Sequence, residues 1–222
     1  MGKQPIYLIE FPYPEHYMRV ATFLCFQEHY ESPKFQGKIF SWEEFMDWNA
    51  KKEGEFTYLG DWDGFNIPSQ TLRLFYEGRF DPLTTKERKL LDLLKGIDGS
   101  FYVISLPAKD VEAFRHEFVH GLFCVNKKYW REVRRCVKSF DPKRLKKALT
   151  RQGYHRSVFT DEVNAYALTG LRSLTGVRNQ DVKRLKVALK KIFFANFGFY
   201  IERKSRQFFL EMVHVINFPT AP

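Results

Sequence analysis

The sequence predicts an α+β fold, with an N-terminal mixed sheet packed on helices and a mostly helical C-terminal half. Three observations carry this. Short β-branched and aromatic runs concentrate in the first half of the chain. Apolar residues recur at helical spacing through most of residues 111–196. No repeat, linker or low-complexity segment divides the chain, so residues 1–222 read as a single domain.

The elements follow in order. PIYLIEF (5–11) and GKIF (37–40) read as strands. SWEEFMDWNAKK (41–52) opens with Ser41 and Glu44 at capping-box spacing, which predicts a helix. GEFTYL (54–59) is a strand candidate, and GDWDGFNIPS (60–69) carries turn residues throughout and reads as a loop. SQTLRLFYEG (69–78) and TTKERKLLDLLKG (84–96) read as helices; Thr84 and Glu87 open the second and Gly96 closes it.

GSFYVISL (99–106) is a strand, and Pro107 suits the first turn of the helix after it. Val111, Phe114, Phe118, Val119, Leu122 and Phe123 form the stripe of that helix. Further helices are predicted at 126–138, 141–151, 160–170 and 179–196, with Asp141-Pro142 and Thr160 as start signals. RQFFLEMVHVINF, at the C-terminal end, fits a strand or a helix.

Composition bounds the class. Hydrophobic residues make up 44% and charged residues 28%, the range of a soluble globular protein. The 23 Phe and 11 Tyr favour an aromatic core or an apolar cleft over disorder. No apolar run approaches the ~20 residues of a membrane span. The first apolar run is broken by Glu10, Pro12, Pro14 and Glu15, unlike a cleavable signal peptide. Cys25, Cys124 and Cys136 are odd in number and far apart, so they offer neither a disulfide framework nor a metal clip. This predicts a cytoplasmic setting, although export without a cleavable signal leaves the same signature.

Charge is unevenly shared. Residues 1–120 hold 14 Lys+Arg against 19 Asp+Glu, and residues 121–222 hold 22 against 7. Residues 127–151 alone hold eleven basic and two acidic side chains. Such a segment can dock an acidic partner, while its ordinary reading is a solvated helix face. Nucleic acid is disfavoured, because no recognised binding motif and no disordered basic tail accompany the charge.

The chemistry concentrates in FRHEFVHGLF (114–123), where His116, Glu117 and His120 stand in the spacing H-E-x-x-H. On a helix, residues four apart project from one face, so both imidazoles can share one Zn²⁺. Glu117 then reaches the metal's water as a general base without ligating the metal. The alternative is a pair of helix histidines with satisfied hydrogen bonds. The extended motif with a third histidine fails, since Phe123 stands where Gly is needed and Asn126 where His is needed. Downstream, TDEVNAYALTG (160–170) places Glu162 on a second helix, with the small Ala165 three residues on.

With these residues the chain resembles the gluzincin side of the zincin metallopeptidases, over about residues 99–170. The resemblance implies a zincin-like fold with an active-site helix, Zn²⁺ as cofactor, and Glu162 as third ligand beside His116 and His120. It implies hydrolysis of a peptide bond in a protein or peptide substrate, with Glu117 as base. Substrate would lie extended along an edge strand, for which SFYVISL is the best candidate. Many members carry an acidic residue directly after the Ala. Here Tyr166 stands there, and Asp161 or the Tyr166 hydroxyl can take over its orienting role.

His155 is the rival third ligand, or else a donor to the developing oxyanion, a role that Tyr154 and Tyr166 can also fill. Asp61, Asp63 and Asn66 resemble a calcium loop only loosely, and a turn accounts for them. His16, His29 and His214 lack ligand-like spacing. The competing function is a non-catalytic binding protein whose basic C-terminal half engages nucleic acid or an acidic partner.

Overall fold

The computed structural model describes residues 2–12, 15–61, 64–107, 109–171 and 174–219. In chain order the elements are β1 (Ile6–Glu10), α1 (Glu15–Glu31), α2 (Trp42–Glu53), α3 (Tyr58–Asp61), β2 (Phe65–Pro68), α4 (Arg73–Tyr76), α5 (Thr85–Leu94) and β3 (Tyr102–Ser105). After these come α6 (Val111–Val125), α7 (Lys127–Phe140), α8 (Lys143–Arg151), α9 (Phe159–Thr169), α10 (Asn179–Phe197), α11 (Arg206–Met212) and β4 (His214–Asn217). The α+β plan holds, and the C-terminal strand joins the N-terminal ones in the same sheet.

Local chemistry sets several boundaries. The capping boxes form as the sequence predicts, with Ser41 accepting from the Glu44 amide and Thr84 from the Glu87 amide. Helix α6 starts later than Pro107 predicts. Asp110 is its N-cap and accepts from the Ala113 amide at 2.8 Å, so the loop after β3 is longer. Helix α9 starts at Phe159, directly after a 3₁₀ turn at Arg156–Val158, without a side-chain cap from Thr160. The ambiguous RQFFLEMVHVINF divides into α11 and β4.

Three expectations fail. GKIF forms no strand; Phe40 instead packs on Phe35 with ring centroids 4.5 Å apart. GEFTYL forms no strand either, and its Tyr58 enters the short α3 and packs edge-on against Phe45 at 4.9 Å. In both, an apolar run fills a core without a neighbouring strand to bond. Conversely β2 lies within the segment read as a loop, an edge strand ended by Pro68.

Helix α1 gave no periodic signal. It buries Arg19, Gln27, Glu28, His29 and Glu31 as well as its apolar residues, so no single greasy stripe marks it.

The sheet order is β2-β3-β1-β4, with β1 parallel to β3 and β4 and β2 antiparallel to β3. Strand β3 is therefore interior, and its backbone is bonded on both sides. SFYVISL cannot serve as the edge that pairs with a substrate; the edge on that side is β2.

Alternate residues feed two cores. Ile6, Leu8, Tyr102 and Ile104 pack with the C-terminal helices, while Ile9, Phe65, Ile67 and Val103 pack with α1, α2 and α5. Among the described residues, no helix is long and apolar enough to cross a membrane.

Gly121, next to the second motif histidine, lets α6 lie against β1. A Cβ there would fall 2.6 Å from Ile6 Cδ1. Gly121→Ala is therefore expected to destabilise the fold by about 1–3 kcal/mol through overpacking. Denaturant unfolding checks this, and a loss below about 0.5 kcal/mol contradicts it.

Candidate metal centre

Helices α6 and α9 pack directly against each other, and the fully buried Ala165 keeps that approach close. Helix α6 supplies His116 and His120, and α9 supplies Glu162. The Nε2 of His116 lies 3.8 Å from Glu162 Oε2, and the Nε2 of His120 lies 3.6 Å from Glu162 Oε1. The ligand atoms of all three lie within 4.8 Å of one another. Tetrahedral donors at zinc distances stand ~3.3–3.6 Å apart, so small side-chain movements bring this group to that geometry.

The far side of each ring is held. The Thr169 hydroxyl donates to the Ala165 carbonyl at 2.8 Å, so its oxygen can accept from His116 Nδ1 at 3.1 Å. Asp161 Oδ1 stands 2.9 Å from His120 Nδ1, with the ring N–H off the direct line. Both arrangements place the proton on Nδ1 and leave Nε2 for the centre. Asp161 therefore stands where it can orient a ligand histidine, one of the two candidates the sequence offered for that role.

The polar atoms at the centre fit a cation. His120 Nε2, Glu162 Oε2 and Glu117 Oε2 are buried without hydrogen-bond partners. Buried orphans of this kind are costly; a divalent ion would satisfy His120 and Glu162, and a water on that ion would satisfy Glu117.

Electrostatics agree. Burial pushes the Glu117 carboxyl above its ordinary range; the two histidines and a hydrogen bond from Asn66 pull the other way. Burial opposes charge on His120, yet Asp161, Glu162 and Glu117 together outweigh it and hold its pKa well above that of a free histidine.

The cleft beside this centre encloses ≈ 680 Å³. Tyr166 lines it, with its ring centroid 4.7 Å from that of His116 and its hydroxyl 3.3 Å from the Tyr154 hydroxyl. His155 is placed elsewhere. It caps the 3₁₀ turn before α9, its Nδ1 lies 2.8 Å from Ser157 Oγ, and it is not among the residues lining the cleft. Asp63 of the calcium-like run lies outside the described residues, and Asn66 belongs to β2.

Sequence reading missed the opposite wall. Helix α1 brings Gln27, Glu28 and Glu31 to the cleft. The Gln27 amide donates to Glu31 Oε1 at 2.7 Å, and its oxygen accepts from the Asn66 backbone N–H at 2.9 Å. Burial, then the charge of Glu162, pushes Glu31 well above the carboxylate range. The only trace in the sequence is QEHYE, a polar cluster ending an apolar run.

Gly64, just before β2, is also part of the fit. A Cβ there would sit 2.9 Å from Glu117 Oε1. The Gly64→Ala variant is expected to fold with a loss below about 2 kcal/mol, because a carboxylate end can swing aside to admit the Cβ. Denaturant unfolding checks this, and a larger loss contradicts it.

Glu28 yields a pH prediction. Burial raises its pKa from 4.5 to about 7. The folded state therefore holds the proton more tightly than the unfolded chain. The stability linked to it is complete below pH 4.5 and is lost as pH rises towards about 7. Glu28→Gln lacks this loss, so its stability should gain on wild type by up to about 3 kcal/mol across that window. Unfolding of both proteins near pH 5 and near pH 7.5 tests it; an equal difference at both contradicts it.

No family model matches the chain, and comparisons with curated proteins and with solved structures find no match.

Proposed function

We propose that this chain is a zinc-dependent metallopeptidase that hydrolyses a peptide bond in a protein or peptide substrate. One observation carries the reading: two helix histidines and a glutamate from a second helix converge through unpaired buried atoms, with a second buried glutamate beside them. Two histidines and one carboxylate suit zinc and leave a coordination position open. The gluzincin resemblance of the same residues points the same way.

His116, His120 and Glu162 would hold the zinc ion, which would supply Lewis acidity toward a carbonyl and a water. The remaining work belongs to the chain. Glu117 accepts the proton of the attacking water and delivers it to the departing amine nitrogen, so the peptide leaves as a carboxylate and an amine. Its raised affinity for protons suits that exchange. Tyr166, beside His116, offers a hydroxyl to the developing negative charge on the carbonyl oxygen. Asp161 and Thr169 keep the two imidazoles aimed.

Substrate lies in the cleft between α1 and α6. Basic side chains of residues 127–151 cover the exposed faces of α7 and α8, none of them lines the cleft, and they are suited to docking an acidic partner.

Metal content and peptide hydrolysis, measured for wild type, His120→Ala and Glu117→Gln, test the reading. Wild type should hold about one Zn²⁺ per chain, and His120→Ala should lose it. Glu117→Gln should keep zinc while hydrolysis falls at least ~100-fold. A wild type that stays metal-free and inert after zinc addition overturns the reading. Salt-sensitive binding of an acidic partner would then favour the non-catalytic alternative.

A further inference from the structure

The cleft differs in charge from the rest of the molecule. The chain as a whole is +10, yet beyond Glu117 and Glu162 the cleft lining holds five more carboxylates and, among the described residues, one lysine. That lysine, Lys52, is engaged by Glu53 and lies 5.5 Å from the Trp48 ring.

Two of the five are buried. Glu28 and Glu31 are 6% and 5% exposed and stand three residues apart on one face of α1. Lys52 pulls on Glu28 without forming an ion pair with it. Tyr58 and Ser32 stand beside Glu28 and ease its charge, and Gln27 hydrogen-bonds Glu31. None of these partners carries a charge. Lys52 and His120 act on the two acids at a distance, but among the described residues neither acid has a cation in ion-pair contact, which makes the adjacent pair unfavourable to bury.

A separate observation comes from α2. Asn49 lines the same cleft, is 5% exposed, and its Oδ1 has no hydrogen-bond partner. Buried side-chain oxygens are rarely left unpaired, and this one can only accept. The wall therefore presents two acids and an orphan acceptor, each of which is satisfied by a donor that carries positive charge.

We propose that Glu28 and Glu31 of α1, with Asn49 of α2, form a subsite that binds a protonated amine of the substrate beside the His116–His120–Glu162 centre. The inference rests on the peptidase reading for the identity of the bound molecule as substrate. The amine belongs to a lysine side chain near the scissile bond or to the free N-terminus of a short peptide. Both put an ammonium next to a carbonyl, and both bring the charge that the wall lacks. A neutral or acidic residue at that place leaves the carboxylates unpaired or adds to their repulsion, which gives discrimination by exclusion as well as attraction.

The test uses the full chain carrying Glu117→Gln and loaded with zinc, so that binding is read without turnover. Three peptides of equal length are titrated by calorimetry. One has a central lysine and an acetylated N-terminus. The second has norleucine in its place and a free N-terminus. The third has norleucine and an acetylated N-terminus.

At least one amine-bearing peptide should bind ~10-fold or more tightly than the neutral one, and the tighter of the two identifies the source of the amine. Adding Glu28→Gln and Glu31→Gln should abolish the preference; Glu28→Gln alone should reduce it and serves if the double change fails to fold. Equal binding of all three peptides, or a preference that survives both Gln changes, overturns the subsite. An amine preference in a protein whose wild type cleaves no peptide would retain the subsite and reject the hydrolase. Cleavage of neutral peptides as fast as basic ones would do the reverse.

Discussion

Helix α6 carries two imidazoles whose inner nitrogens both face the Glu162 carboxylate of α9. This constraint reaches far into the fold. Ala165 is small so that the two helices can approach, and Gly121 is bare so that α6 can lie against Ile6 of β1. Asp161 and Thr169 hold the outer sides of the rings, and Gly64 leaves room for the Glu117 carboxylate. Each of these residues is unremarkable alone. Together they fix the positions of side chains whose inner atoms would otherwise be a burden to the folded state.

Much of this was legible in the sequence, for physical reasons. His116, Glu117 and His120 are close in the chain, so helical geometry alone brings them together. Glu162 became legible through the resemblance, which implies a Glu three residues before an Ala on a second helix as third ligand. The strands at 5–11 and 99–106 and the capped helices at 41 and 84 carry strong local signals. Failures came where burial is not periodic. The polar residues of α1 break any stripe, GKIF and GEFTYL spend their aromatics on a loop-filled core, and β2 hides among turn residues. Whether 99–106 was an edge or an interior strand depended on β1 and β2, which flank it and are distant from each other in sequence. His155 lies near α9 in sequence, yet its caps and hydrogen bonds turn it to a local task.

The carboxylates also give the protein a divided character. Its outside is basic, particularly along α7 and α8, while the wall facing the histidines is acidic. A cation drawn into the cleft leaves a repelling surface for an attracting one. Burial sharpens that difference, because fields inside the cleft are less screened by water and salt than fields at the surface.

Gln27 has a consequence beyond its two hydrogen bonds. Its oxygen occupies the outward amide of Asn66, on the open edge of the sheet, while its nitrogen grips Glu31. A foreign strand that tried to extend the sheet at that point must first evict this side chain. Eviction would also loosen the acid that Gln27 steadies. One amide thus works as a latch with two tongues: it keeps the sheet from growing outward, and it makes the shape of that border and the charge of the cleft answer to each other.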